Sequence, residues 1–231
     1  MQRLDKILSE AGVASRKELR NMIRARRVTV DGVVARSPED KFDETTICVL
    51  VDGVPVRKME HVYLMLHKPA GYVTSTSDPR DKTVMELLPE EYRKLDLKPV
   101  GRLDKETEGL LLFTNDGDFA HRMISPRSGV WKVYFAQHEG TATDEDVAAF
   151  QNGIVLKDGT QCLPAELVPQ GPGESLIRVC EGKYHQVRRM MASRDMAVTY
   201  LKRIEEGNLS LDGLEKGCVR ELKSVEIADL L

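Results

Sequence analysis

The sequence predicts an α+β protein. A small N-terminal α/β module precedes a larger unit built on a mainly antiparallel mixed sheet with flanking helices. Three observations carry this reading. Two helical periodicities and two strand–turn–strand signals fall within about the first 55 residues. The composition changes at Val62, where β-rich segments begin to dominate. Beyond that point strand and helix candidates do not alternate regularly, which disfavours a doubly wound parallel sheet.

In the N-terminal module, Leu4, Ile7, Leu8 and Ala11 follow the i, i+3, i+4, i+7 spacing of an amphipathic helix, and Gly12 can end it. Ser15 with Glu18 three residues on reads as a capping box that starts a second helix. On that helix Leu19, Met22 and Ile23 can face a core, while Arg16, Arg20 and Arg24 form a stripe flanked by Lys17 and Arg27. Val28–Thr29–Val30 and Val33–Val34 flank an Asp31–Gly32 turn, and Ile47 to Val54 repeats the pattern around Asp52–Gly53. The module is expected to span residues 1–57, with a linker at 58–62 and a second domain at 63–231.

In the second domain, strands are expected at Tyr63–Leu66, Leu110–Thr114, Trp131–Gln137, Ile154–Leu156, Ala165–Val168, Leu176–Cys180 and Val198–Arg203. Helices are expected at Thr83–Leu88, Phe119–Ile124, Asp144–Asn152 and His185–Ser193. Leu110 to Phe113 is an apolar run between Gly109 and the turn-like Asn115–Asp116–Gly117, which reads as a buried strand.

An apolar fraction of 41% in 231 residues supports a sizeable core. No apolar run approaches a membrane span, and the N-terminus lacks a signal-peptide core, so no membrane partner is expected. The four cysteines are scattered and form no CxxC pair, which argues against a zinc site and a disulfide framework and for a reducing cytoplasm. No metal site, P-loop or dinucleotide fingerprint is present in the sequence. Charge is unevenly spread. Arg3, Lys6, Arg16, Lys17, Arg20, Arg24, Arg26 and Arg27 against Asp5, Glu10 and Glu18 give residues 1–30 a formal +5, leaving −8 on the remainder of a chain whose total is −3. Such a basic head suits a polyanion. A solvated helix face is the plainer reading of the arginine stripe, but acidic residues do not interleave at i+4, and nucleic-acid binding is favoured.

Three segments carry chemistry. Gly101–Arg102–Leu103–Asp104 sets a carboxylate and a cation on one face if extended, ahead of the buried strand. Trp131 to Phe135 alternates and can put Lys132 and Tyr134 on one face. Glu181 to Met191 turns at Gly182 and enters a basic helix. Taken singly, Asp104 can be a turn cap, Tyr134 an ordinary strand aromatic, and the last segment a solvated amphipathic helix.

Together, in this order, they resemble the bacterial ribosomal small-subunit pseudouridine synthase family, in which an S4-type RNA-binding domain precedes a catalytic domain. The resemblance covers essentially the whole chain. It includes the helix–helix–VTVDG arrangement, Lys68–Pro69–x–Gly71, Gly101–Arg102–Leu103–Asp104 with Gly109–Leu110–Leu111, Lys132–x–Tyr134, and Gly182–Lys183–Tyr184–His185–Gln186–Val187–Arg188–Arg189–Met190. Glu108 departs from the pattern, since many relatives carry threonine there.

The resemblance implies isomerisation of uridine to pseudouridine in ribosomal RNA, with 16S RNA or a small-subunit assembly intermediate as partner. That reaction is redox-neutral, so no cofactor is expected. The resemblance implies Asp104 as the essential carboxylate, Arg188 as its salt-bridge partner and Tyr134 against the uracil face. It also implies nucleotide extrusion, with Arg102 filling the gap; the alternative for Arg102 is a phosphate or local carboxylate contact. Lys68, Lys183 and Arg189 are expected along the RNA path, while His185 is equally compatible with a structural role. Arg3, Arg16, Lys17, Arg20, Arg24 and Arg27 are expected to supply phosphate affinity. A monomer is the expected state. The rival readings are a 23S enzyme of the same subfamily and a non-catalytic RNA-binding assembly factor; the latter would not require Asp104, Tyr134 and Arg188 together.

Overall fold

A computed structural model describes residues 1–44, 46–56 and 61–230. The chain divides into two compact units, Met1–His61 and Val62–Leu231. Positions 58–60 of the expected linker lie outside the described residues.

The N-terminal unit contains β1 (Gln2–Arg3), α1 (Leu4–Glu10), α2 (Arg16–Arg24), β2 (Val28–Val30), β3 (Val33–Val34), β4 (Lys41–Phe42), β5 (Val49–Val51) and β6 (Val54–Pro55). Ser15 caps α2 through its side chain and Glu18 returns the bond, forming the capping box that the sequence predicts. Asp31 and Asp52 adopt left-handed backbone conformations, each followed by a glycine of positive φ. These are the paired φ values that tight hairpins require. They connect an antiparallel sheet of order β3-β2-β5-β6. Leu4, Leu8, Leu19 and Ile23 from the helices pack on Val28, Val30 and Val49 from the sheet.

The second unit contains β7 (Tyr63–Lys68), a 3₁₀ turn at Val84–Leu87, α3 (Glu90–Arg93), β8 (Lys98–Val100), β9 (Glu108–Thr114), α4 (Gly117–Ile124) and β10 (Lys132–His138). It continues with α5 (Asp144–Asn152), β11 (Glu166–Gly171), β12 (Glu174–Val179), α6 (Gln186–Ala192), β13 (Val198–Glu206), β14 (Leu209–Ser210), β15 (Val219–Glu221) and α7 (Ser224–Ala228). Strands run in the order β11-β12-β10-β13-β9-β7-β15, with β14 added to β13 and β8 to β9. Among the described residues, β9–β13 is the sole parallel strand pairing in this sheet. The α+β class with a mainly antiparallel sheet is therefore the observed one.

Two expected elements differ. Thr83–Leu88 is a single 3₁₀ turn rather than an α-helix. Pro89 follows at once and cannot continue a helix. Ile154–Leu156 forms only an isolated bridge between Val155 and Gln161, because the chain reverses at Asp158–Gly159 before a ladder can extend.

β9 is buried along its whole length. Leu111 and Phe113 face one core with Leu64, Leu66 and Leu103, while Leu110 and Leu112 face another with Phe119 and Met123 of α4. Gly109 lies where β9 meets β13. A Cβ there would stand 2.1 Å from the Arg203 carbonyl oxygen, and φ is +114°. Only glycine satisfies both constraints. The segment carrying Asp104 enters this buried strand, so it is anchored to the most rigid part of the sheet.

Candidate active site

Asp104 lies in the loop between β8 and β9. Leu103 is buried beneath it. Thr74 grips both sides of the Leu103 peptide: its Oγ1 donates to the Leu103 carbonyl at 2.7 Å and accepts the Leu103 N–H at 3.1 Å. The Gly71 N–H donates to the Lys105 carbonyl, and the Thr107 N–H closes a turn onto the Asp104 carbonyl. Lys68 completes the clamp. Its Nζ donates to the carbonyls of Pro69, Lys105 and Thr107 at 3.0, 3.0 and 2.8 Å. The loop that carries the carboxylate is thereby tethered at several backbone positions.

Asp104 shares a cavity with Arg102, Tyr134, Lys183, His185 and Arg188. Tyr134 comes from β10, where it pairs with Ile177 and Arg203 beside a register shift. His185 and Arg188 come from the turn into α6 and its first turn. Asp104 Oδ1 lies 3.4 Å from His185 Nε2. Arg188 Nη1 instead donates to the Val198 carbonyl at 3.1 Å. The expected Asp104–Arg188 salt bridge is therefore replaced by Asp104–His185, with Arg188 lining the same cavity. Arg102 is exposed at its rim and makes no ion pair among the described residues. Both Arg102 and Asp104 line this cavity.

Beneath Tyr134 lies a buried charge cluster. The Arg203 guanidinium donates through Nε to the Leu110 carbonyl at 2.8 Å, and its Nη2 lies 3.1 Å from Glu206 Oε2. Lys132 Nζ stands 4.0 Å from Glu206 Oε1 and donates to the carbonyls of Met123 and Val130. Burial pushes the Tyr134 phenol above its usual pKa, opposed by the positive Arg203. Burial pushes the Lys132 ammonium down, against the pull of Glu206. Among the described residues, no group of three His, Cys, Asp or Glu side chains is arranged to hold a metal.

Residues 62–193 match a family model described as RNA pseudouridylate synthase, and residues 2–47 match the S4 domain. The chain belongs to the RNA pseudouridylate synthase family. It is 40% identical to an uncharacterized RNA pseudouridine synthase of Bacillus subtilis, over 97% of this chain and 96% of the relative. It is 39% identical to the ribosomal small subunit pseudouridine synthase A of Yersinia pestis, over 99% of this chain and 97% of the relative. A pseudouridylate synthase known from a crystal structure covers 100% of both chains, with a TM-score of 0.73 and 30% identity.

Several expected RNA contacts of this synthase are differently placed. Lys68 is 0% exposed and serves the loop, so it does not line an RNA path. Burial pushes its ammonium down to about 8, partly countered by Glu106, Glu108 and Asp104. Lys183 is ion-paired with Glu181, and Arg189 with Asp158 at 2.5 Å. In the N-terminal unit, Arg3 is held by Asp5 and Glu39, and Arg27 by Asp52. These arginines retain exposed surface, but their charge is locally matched. Arg16, Lys17, Arg20 and Arg24 are exposed and make no ion pair among the described residues, so the helix stripe is intact.

Sequence reasoning missed the partnership of His185 with Asp104 and the buried Lys132, Arg203 and Glu206 beneath Tyr134. For His185 a signal existed, since it sits within the Gly182–Met190 segment. Arg203 and Glu206 carry no local signal; only the pairing of β13 with β10 and β9 brings them under the cavity. Glu108, the departure from the family pattern, accepts hydrogen bonds from Tyr200 Oη at 2.8 Å and Lys216 Nζ at 3.0 Å. It does not line the cavity.

Proposed function

We propose that this enzyme isomerises specific uridines in 16S ribosomal RNA, with Asp104 as the essential carboxylate. The observation that supports the site assignment most strongly is convergence. Asp104, Tyr134 and Arg188, from three separated segments, line one small cavity in the second unit. The small-subunit name of the Yersinia pestis relative supports 16S over 23S RNA. A binding factor would have no use for the clamp on the Asp104 loop.

The chemistry follows from the positions. The target uridine leaves the helix and its base enters the cavity. Asp104 promotes cleavage of the N1–C1′ bond, the uracil turns, and a C5–C1′ bond forms. The proton on C5 is lost and N1 gains one, so the reaction is balanced with no second substrate. Tyr134 offers a flat face to the uracil, and burial disfavours its phenolate, so its hydroxyl serves the base as a hydrogen-bond donor rather than as the acceptor of the C5 proton. Arg188 supplies positive charge in the same cavity, and His185 approaches the carboxylate directly. Arg102, at the rim, is placed to enter the gap left in the RNA. The exposed arginines of α2 bind RNA phosphates, in a monomer working in the cytoplasm on naked 16S RNA or an assembly intermediate. Among the described residues no helix is long and apolar enough to cross a membrane.

The test is tritium release from RNA labelled at uridine C5, with 16S, 23S and assembly-intermediate substrates in parallel and no cofactor added. Release from 16S RNA alone supports the proposal. Release from 23S RNA alone supports the rival enzyme, and binding without release from any substrate supports the assembly factor.

A further inference from the structure

Tyr184 is 76% exposed, yet it sits between Lys183 and His185, both of which line the cavity. Its ring lies on the His185 ring with centroids 4.0 Å apart and an 18° angle between planes. The same His185 approaches Asp104 at 3.4 Å. The exposed tyrosine is therefore stacked on the very side chain that meets the central carboxylate.

The backbone is shaped for this. Consecutive side chains diverge along a strand, but His185 is left-handed, with φ 48° and ψ 35°. For a non-glycine residue that conformation is strained, and it lets neighbouring rings meet face to face. The turn is also locked. The Lys183 N–H donates to Gln186 Oε1 at 2.9 Å, Gln186 Nε2 donates to Glu181 Oε1 at 2.8 Å, and Arg189 Nη1 donates to the Tyr184 carbonyl at 3.3 Å. A rigid aromatic ring with one face covered and the other open has little entropy left to lose on binding.

The charge around it limits the alternatives. The second unit holds 22 lysines and arginines against 27 aspartates and glutamates from residue 62 onward. Lys183 and Arg189 beside the cavity are already matched by Glu181 and Asp158. Phosphate contacts from these two side chains are thus a weak source of grip, and Arg102 is left as the exposed cation at the rim. Extrusion of the target meanwhile strips a stacking partner from the bases on either side of it, and any base can stack on an aromatic face.

We infer that the open face of Tyr184, backed by His185, is a stacking subsite for a nucleobase adjacent to the target uridine. This rests on the reading of the cavity as the uridine site. Stacking of this kind is worth about 1–3 kcal/mol per base, which corresponds to about 5- to 150-fold in affinity.

The test uses the full chain and an RNA fragment that releases tritium with the wild type. Tyr184→Ala should raise KM about 5- to 150-fold with kcat at saturating RNA little changed, and Tyr184→Phe should recover most of the loss. An abasic residue beside the target, tried on each side in turn, should reproduce the KM rise with wild-type protein. At one of the two positions it should add nothing further in Tyr184→Ala. An unchanged KM in Tyr184→Ala overturns the inference. So does a loss in Tyr184→Phe equal to that in Tyr184→Ala, or a penalty that adds in full to both abasic substitutions. A wild type that releases no tritium from any RNA refutes the uridine-site reading instead, which separates the two failures.

Discussion

Burying a lysine ammonium costs several kcal/mol unless other groups replace its water, and Lys68 meets three backbone carbonyls, two of them in the loop of Asp104. Lys68→Met keeps the bulk but removes the donor, leaving buried carbonyls unsatisfied. We predict a loss of about 2–4 kcal/mol in urea unfolding, with a lower kcat because the Asp104 loop relaxes. An unchanged midpoint would mean that the clamp contributes nothing. This role was invisible in the sequence, where a lysine in a Lys–Pro–x–Gly turn reads as an exposed cation. The same blindness covers Arg27 and Arg189, whose carboxylate partners Asp52 and Asp158 arrive from other segments. Asp104, Tyr134 and Arg102 were singled out by the order of their segments and the resemblance it carries, since taken singly none was decisive, and the structure places all three on one cavity. The Asp104–His185 contact was not legible, since it depends on how the turn before α6 is seated against the β8–β9 loop.

At the scale of elements, β9 and β13 approach so closely at Gly109 that no side chain fits. Gly109→Ala should separate the parallel pairing of β9 with β13 and destabilise the protein by more than about 4 kcal/mol, read as insoluble expression or a collapsed unfolding midpoint. A midpoint within a degree or two of the wild type would refute the tight approach. α7 carries a pH-dependent contribution. Glu226 accepts both Arg220 Nη1 and Nη2, at 2.8 and 2.7 Å, and the Lys223 N–H at 2.7 Å. The Arg220 hydrogen bonds, more than any other contact, pull its pKa from 4.5 to about 2. A carboxylate with a depressed folded pKa stabilises fully above its unfolded pKa and loses that effect as pH falls through the folded one. Glu226→Gln should therefore lower stability above pH 4.5 and make no difference near pH 2. A difference that stays constant over that window in urea titrations would exclude the linkage. Elements with a strong local signature, such as α2 with its capping box and β9 with its apolar run, were legible. β14 and β15 were not, because short edge strands owe their form to pairing with β13 and β7 rather than to local pattern, and α7, at five residues, is too short to show a helical period.

Across the whole molecule, charge is divided between the units. Residues 62–231 are net acidic, while α2 presents Arg16, Arg20 and Arg24 to solvent. Replacing these three by serine in the full chain should flatten the plot of log affinity against log salt by about 2, at roughly 0.7–0.9 for each phosphate no longer neutralised. An unchanged slope would remove the stripe from RNA binding. The basic head was legible as a composition difference even though the total charge of −3 argues the other way. The most direct test of the central claim is single-turnover tritium release from C5-labelled 16S RNA, comparing the wild type with Asp104→Asn. The side chain of Asp104 is 37% exposed, so the substitution leaves the core intact and both proteins should unfold at the same midpoint. The expected result is stoichiometric release by the wild type and a rate at least about 100-fold lower in Asp104→Asn. Equal rates for two equally folded proteins would contradict the assignment of Asp104 as the essential carboxylate.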